Sequence, residues 1–167
     1  MNELEFLRGL RELPLHDGAR NLEDDCAGIT FGDETLIITH DAMAEDTHFR
    51  PEADMSNVAW KLVAMNLSDL ASKGAEPIGV LVGMTLGRDD PGFLAGLRDA
   101  LGVYEVPILG GDTIAATGAS TFGITALGRA THLPVPARSG SQTGDAIYVP
   151  GTIGRAMLGF EGDVDHL

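Results

Sequence analysis

Apolar residues at helical spacing and helix end signals predict four helices along the chain. Leu4, Leu7 and Leu10 are three residues apart, which is typical of a short amphipathic helix. Gly74 is suited to end a long helix and Pro91 to open another one. The predicted helices cover residues 2–11, 57–73, 91–101 and 151–160.

The remaining apolar runs are short and rich in β-branched residues, which favours strands. The predicted strands cover residues 26–31, 35–39, 77–86, 106–109, 120–130 and 145–149. Strands often follow one another directly here instead of alternating strictly with helices, which favours an α+β fold over a doubly wound parallel sheet.

Four short acidic motifs lie beside glycine, small residues or the ends of these apolar runs. They are Asp24-Asp25-Cys26-Ala27, Thr39-His40-Asp41, Asn66-Leu67-Ser68-Asp69 and Gly110-Gly111-Asp112-Thr113. Two carboxylates ~4 Å apart repel by roughly 4 kcal/mol at an effective dielectric near 20, so a cluster of them indicates a bound cation. Hard oxygen ligands favour Mg²⁺, and Mg²⁺ held by few carboxylates usually holds phosphate as well.

Each candidate residue also has an ordinary structural interpretation. Asp69 can be a surface acid on a helix, and a lone histidine such as His48 is more often structural than functional. Arg138, beside a flexible turn, is suited to bind phosphate, but it can equally be an ordinary exposed arginine. Tyr104 can be core or can stack on a base. The combination of the acidic motifs therefore carries more weight than any one of them.

Composition narrows the classes of partner. The chain has 167 residues, 44% of them hydrophobic and 22% charged, which fits a globular domain with a real core. Its net charge of −14 argues against binding to nucleic acid or to anionic membranes, because such binding needs a basic protein surface. A single cysteine fits a reducing compartment, and neither a signal peptide nor a transmembrane run is expected. We therefore predict a cytoplasmic protein.

The order and neighbours of these motifs resemble the thiamine-monophosphate kinases of the aminoimidazole-ribonucleotide-synthetase-like superfamily. The matching segments are residues 23–27, 39–41, 47–49, 60–61, 66–75, 110–113, 138–140 and 144–154. Segment 66–75, Asn-Leu-Ser-Asp-Leu-Ala-Ser-Lys-Gly-Ala, is the most specific of them. The resemblance implies ATP-dependent phosphorylation of thiamine monophosphate to thiamine diphosphate with several Mg²⁺ ions.

The resemblance also implies a role for individual residues. The implied metal ligands are Asp25, His40, Asp41, Asp69 and Asp112. The implied substrate contact is His48, and the implied nucleotide contacts are Gly111, Asp112, Arg138 and Tyr104. His40 stands where the family usually has threonine or serine. If this position binds metal through its backbone carbonyl, the change is harmless; if it binds through a hydroxyl, one metal site is altered. No catalytic side chain is expected, because a phosphate acceptor with a second pKa near ~6 is already ionised at neutral pH.

The family fold implies a mixed or antiparallel sheet flanked by helices, and a homodimer in which two sheets pair into a barrel. Residues 1–150 would form the N-terminal ATP- and Mg²⁺-binding and dimerisation domain, and residues 151–167 the start of a truncated C-terminal domain. The chain alone is expected to have little or no kinase activity. Two other hypotheses stay open, namely a sister ATP-dependent enzyme of the superfamily and a non-catalytic, dimerising metal-binding half.

Overall fold

A computed structural model describes residues 1–149 and 151–154 of the chain. The helices are α1 (Glu3–Arg11), α2 (Met55–Ser72) and α3 (Asp90–Tyr104), with short 3₁₀ turns at Asp17–Leu22 and Arg138–Gly140. The strands are β1 (Ala27–Phe31), β2 (Glu34–Ala44), β3 (Ala75–Leu86), β4 (Ile108–Ala115) and β5 (Thr121–Ala130). Within these ranges no helix is long and apolar enough to cross a membrane.

The five strands form one mixed sheet in the order β1-β2-β5-β3-β4. Neighbouring strands are antiparallel except for β3 and β4, which are parallel. A parallel pair needs a long crossover connection, and α3 provides it between β3 and β4. The predicted α+β class with a mixed sheet is therefore confirmed.

The core lies between one face of the sheet and the two long helices. Helix α2 contacts β2, β3 and β5, and α3 packs against α2. Strand alternation directs Ile37, Val80 and Ile124 into this layer, where each is at most 1% exposed. Phe93 of α3 stacks on Phe122 of β5 with ring centroids 4.4 Å apart. Helix α2 is thereby held against β2, and both elements carry acidic motifs.

Local signals set the ends of α2 close to the predicted positions. The side chain of Asp54 accepts a hydrogen bond from the backbone N–H of Ser56 and caps the first turn. Gly74 follows the helix with a φ of +60°, a conformation that glycine adopts without steric cost. The chain then reverses directly into β3 at Ala75.

Two predicted strand ends were wrong. Strand β2 continues five residues beyond the predicted end at Thr39, so Asp41 lies inside the strand rather than after it. Strand β4 runs through Gly110, Gly111 and Asp112, which were predicted to follow a short buried strand. It is also exposed along its whole length. Parallel pairing with β3 supplies hydrogen bonds that override the low strand propensity of glycine.

The predicted strand over residues 145–149 is absent. Those residues adopt no regular structure, and Ile147 and Tyr148 are 92% and 88% exposed. An apolar run forms a strand only where a neighbouring strand can pair with it, and in the described ranges the sheet ends at β1 and β4. The predicted helix over residues 151–160 falls mostly outside the described residues.

Close approach of α2 and α3 depends on Gly96. A Cβ atom at this position would lie 2.1 Å from the backbone oxygen of Ser56, which cannot move aside as a flexible side chain could. We expect Gly96→Ala to lower the free energy of unfolding by about 1–3 kcal/mol, because the helices must separate or bend. Chemical denaturation measures this.

Gly102 provides the matched control on the same helix. Nothing lies within 4 Å of the Cβ position at Gly102. Gly102→Ala should leave stability unchanged or raise it by up to about 1 kcal/mol, through helix propensity alone. Equal effects of the two substitutions would contradict the packing explanation.

Candidate functional site

Three of the acidic motifs meet where β1, β2 and α2 adjoin. Thr39 of β2 is 3% exposed, and its hydroxyl donates to Asp69 Oδ2 of α2 at 2.7 Å. The same hydroxyl lies 3.2 Å from the backbone oxygen of Asp25, just before β1. One buried threonine thus joins two motifs that are 44 residues apart in the sequence, Asp25 and Asp69.

Asn66 connects the third motif to the same place. Its side chain is fully buried on α2, and its Oδ1 accepts a hydrogen bond from the backbone N–H of Asp41 at 3.0 Å. Its Nδ2 donates to the backbone oxygen of Leu62 at 2.9 Å. Asn66 and Asp69 are three residues apart and therefore lie on one helix face. Asp41 and Asp69 are consequently held on adjoining elements.

The environment of Asp69 disfavours its negative charge. Burial raises the pKa of Asp69; the hydrogen bond from Thr39 opposes this, whereas the charges of Asp41 and Asp25 add to it. The available donors are carboxylate and hydroxyl oxygens, the hard ligands that Mg²⁺ prefers. The donor set therefore fits a magnesium ion.

In the described residues, the carboxylates lie near one another but do not form a complete metal-binding site. In the part of the chain that the structure describes, no group of three or more His, Cys, Asp or Glu side chains is arranged to hold a metal ion. Asp25 instead forms an ion pair with Arg138, in which both side chains are substantially exposed. The hydrogen bond with Asp25 raises the pKa of Arg138. A cationic side chain therefore already neutralises one of the predicted metal ligands.

Gly111 and Asp112 lie apart from this group. Asp41 on β2, Ile124 on β5, Val82 on β3 and Gly111 on β4 form one row across the sheet. Three strand spacings separate the ends of the row, or about 14 Å. A Cβ atom on Gly111 would lie 1.9 Å from the backbone oxygen of Val82, so this position requires glycine.

The two predicted histidines have different surroundings. Nδ1 of His40 lies 2.9 Å from Thr125 Oγ1, on the sheet face opposite Asp41. The imidazole ring is therefore not brought to the carboxylates, and only the backbone carbonyl remains as a possible ligand. His48 lies in the turn after β2, and its Nδ1 accepts a hydrogen bond from the backbone N–H of Ala44 at 3.0 Å. The neutral ring consequently carries its proton on Nε2.

Tyr104 is also distant from the acidic residues. It ends α3 and packs edge-on against Trp60 of α2, with ring centroids 5.5 Å apart. Trp60 precedes Asp69 by nine residues of helix, or about 13 Å along the axis. The structure places Tyr104 against the helix pair and not beside the carboxylates.

Asp24 has a different environment from its neighbour Asp25. Its side chain is 3% exposed and forms ion pairs with Lys73 and with Arg20, the latter at 2.7 Å. Burial alone would raise the pKa of Asp24, but hydrogen bonds from Lys73 and Arg20 outweigh it and lower the pKa to about 2. Asp24 is thus a buried, paired charge.

Several residues that hold this site together were not predicted from the sequence. Thr39 and Asn66 stand inside the acidic motifs, and their polar side chains beside apolar runs were the available signal. Lys73 could not be predicted in this way, because its partner Asp24 is 49 residues away in the sequence.

Comparison with known proteins supports one family. The family model described as AIR synthase related protein, N-terminal domain, matches residues 23–130. The chain belongs to this family. The fold is similar to that of a solved structure: AaThiL complexed with AMPPCP and TMP superposes with a TM-score of 0.79 at 24% identity, over 95% of this chain and 50% of that one.

Two curated relatives carry the same functional name. Thiamine-monophosphate kinase of Escherichia coli K12 is 37% identical over 144 residues, which are 81% of this chain and 43% of the relative. The enzyme of that name from Caulobacter vibrioides is 40% identical over 129 residues, 74% of this chain and 37% of the relative. The chain spans about half the length of the curated relatives that it matches, or less.

The buried bond between Asn66 and Asp41 gives a testable prediction. Asn66→Leu keeps a similar volume but leaves the Asp41 N–H without its acceptor. We expect the free energy of unfolding to fall by about 1–3 kcal/mol and amide exchange at Asp41 to accelerate. Ser72→Ala, which removes an exposed hydroxyl bonded to the Asp69 carbonyl, is the control and should have little effect. An unchanged Asp41 exchange rate would refute the assignment.

The low pKa of Asp24 predicts a pH-dependent contribution to stability. A carboxylate whose folded pKa lies near 2, below its usual 3.8, stabilises the fold above about pH 4 and loses that effect as pH falls towards 2. The stability advantage of the wild type over Asp24→Asn should therefore shrink by on the order of 2 kcal/mol between pH 5 and pH 2. Denaturant titrations across this range measure it, with the exposed Glu34→Gln as control. A constant difference would contradict it.

Proposed function

We propose that this chain is the N-terminal part of an ATP-dependent kinase that phosphorylates thiamine monophosphate to thiamine diphosphate. The observation that carries the proposal is the meeting of Asp25, Thr39 and Asp69 at one place, with Arg138 on the Asp25 carboxylate. A hard-oxygen cluster beside an arginine suits a metal-bound polyphosphate. The relatives named thiamine-monophosphate kinase support this particular substrate.

The residues divide into three proposed roles. Asp25, Asp41 and Asp69 hold Mg²⁺, and the backbone carbonyl of His40 is a further ligand. Asp112 is a further proposed ligand, on β4, which two strands separate from β2. The proposed nucleotide contacts are Gly111, Asp112, Arg138 and Tyr104, and the proposed substrate contact is His48.

The chemistry needs positioning and charge neutralisation more than proton transfer. The acceptor phosphate is largely ionised at neutral pH, so no side chain has to remove a proton from it. Bound Mg²⁺ would neutralise the phosphates and orient their oxygens. Arg138 would bind phosphate oxygens through its planar guanidinium, and His48 would donate from the Nε2–H that its hydrogen bond with Ala44 fixes.

The proposal includes a homodimer in the cytoplasm. Ile38, Leu81 and Leu127 lie on the sheet face opposite the helices, where Leu81 is 38% exposed. An apolar sheet face of this kind supports pairing with a second sheet. The single cysteine supports a reducing compartment. We further propose that residues 1–150 form the binding and dimerisation domain and residues 151–167 begin the next one.

Isothermal titration calorimetry of the chain tests this function. We expect saturable binding of a Mg²⁺-bound, non-hydrolysable ATP analogue and selective binding of thiamine monophosphate. Asp69→Asn should weaken nucleotide binding at least about tenfold because it removes a proposed metal ligand. Glu34→Gln removes the same charge from the exposed pair with Arg129 and should have little effect.

Each other outcome would contradict part of the proposal. Nucleotide binding without thiamine monophosphate binding would favour a sister activity, and binding of neither would favour a non-catalytic half. A coupled assay for ATP consumption should show little or no turnover, because the chain spans about half its relatives or less. Turnover at a rate ordinary for kinases, about 1–100 per second, would contradict that expectation.

A further inference from the structure

Asp24 and Lys73 are buried charges that the proposed function does not use. Their side chains are 3% and 5% exposed, and they form an ion pair between the segment before β1 and the end of α2. A buried pair of this kind is weak evidence for stability, since removing both charges from water is costly. Its position is more informative, because Asp24 directly precedes Asp25 and its Oδ1 accepts the Asp25 N–H at 2.9 Å.

Arg20 extends this pair to a third segment. It donates to Asp24 Oδ2 at 2.7 Å and to the backbone oxygen of Pro136 at 2.9 Å, 116 residues along the chain. A longer contact of 3.4 Å reaches the backbone oxygen of Val135. Arg138 follows two residues after Pro136, so a single guanidinium bonds both to the residue before Asp25 and to the segment that carries Arg138.

The turn that carries Arg20 is itself held in an uncommon conformation. Arg20, Asn21 and Leu22 have φ values of 49°, 56° and 54°, in the left-handed region that residues other than glycine seldom adopt. The guanidinium of Arg11 donates to the backbone oxygens of Asn21 at 3.0 Å and Leu22 at 3.2 Å. Strained backbone persists where surrounding contacts over-determine it, as they do here. Arg11 thus holds the two residues after Arg20, and the Arg20 side chain is held by its own bonds to Asp24 and Pro136.

We propose that Asp24 is a positioning residue for the candidate site. Through Lys73 it fixes the segment before β1 to the end of α2, four residues beyond Asp69. Through Arg20 it fixes the 135–138 segment, so that Asp25 and Arg138 are presented together beside Asp69. The inference rests on the proposed function in so far as these residues bind metal and phosphate.

A double substitution separates positioning from stability. Asp24→Asn alone leaves Lys73 buried without a counterion and so changes stability together with position, whereas Asp24→Asn with Lys73→Met removes both buried charges. Replacing both partners of a buried pair is often neutral or stabilising. The control is Glu34→Gln with Arg129→Met, which removes an exposed ion pair and changes the net charge equally.

Two measurements on the full 167-residue chain then test the inference. Mn²⁺, which carboxylates bind as they bind Mg²⁺, is titrated by electron paramagnetic resonance. Amide exchange at Gly140, whose N–H donates to the Ala137 oxygen at 3.0 Å, reports on the 135–140 segment without any metal. We expect the double variant to unfold cooperatively, to bind Mn²⁺ at least about tenfold more weakly and to exchange Gly140 about tenfold faster. The control should stay within about twofold for both.

The outcomes separate this inference from the proposed function. Wild-type Mn²⁺ affinity and wild-type Gly140 exchange in the double variant would overturn the positioning role. If the wild type binds no Mn²⁺, the metal site fails, and the Gly140 measurement alone then decides whether Asp24 fixes the segment. Lys73→Arg, which keeps the charge, should retain most of the wild-type protection at Gly140, and a loss as large as that of the double variant would also overturn the role.

Discussion

The packing of α2 across β2 is the constraint on which the candidate site depends. Helix and strand are held together by an apolar layer, yet two polar contacts pass through the interface, Thr39 with Asp69 and Asn66 with Asp41. Buried polar groups need partners, so these bonds allow little sliding of α2 along the strand. Because Asp41 and Asp69 are attached to these same elements, their relative placement follows from satisfying the core.

Two adjacent aspartates differ in burial and in their charged partners. The Asp24 side chain is buried and neutralised by two cations, and its pKa is lowered to about 2. Asp25, one residue on, points to a more exposed place and pairs with Arg138, which a competing cation can displace at modest cost. Asp69 is half-buried with a raised pKa, beside Asp41 and Asp25.

Strong local signals predicted helices α1, α2 and α3 and the class of fold well. The predicted bounds of α2, 57–73, differ from the observed Met55–Ser72 by two residues or fewer, because a capping Asp54 and a left-handed Gly74 act over one or two turns. Strand β4 and residues 145–149 were predicted poorly. A glycine-rich segment became a strand where β3 could pair with it, and an apolar segment without a partner did not.

The sequence by itself determined helices α1 to α3, the approximate positions of most strands, the fold class and the acidic motifs, since composition, periodicity and order along the chain express them. Only the tertiary structure decided which motifs meet. It joined Asp25, Asp41 and Asp69, left Asp112 across two intervening strands, and turned the His40 ring to the other face of the sheet. It also made Asp24 the partner of Lys73 and Arg20. The physical reason is that strand order and helix packing set distances between residues far apart in sequence, and no local pattern encodes them.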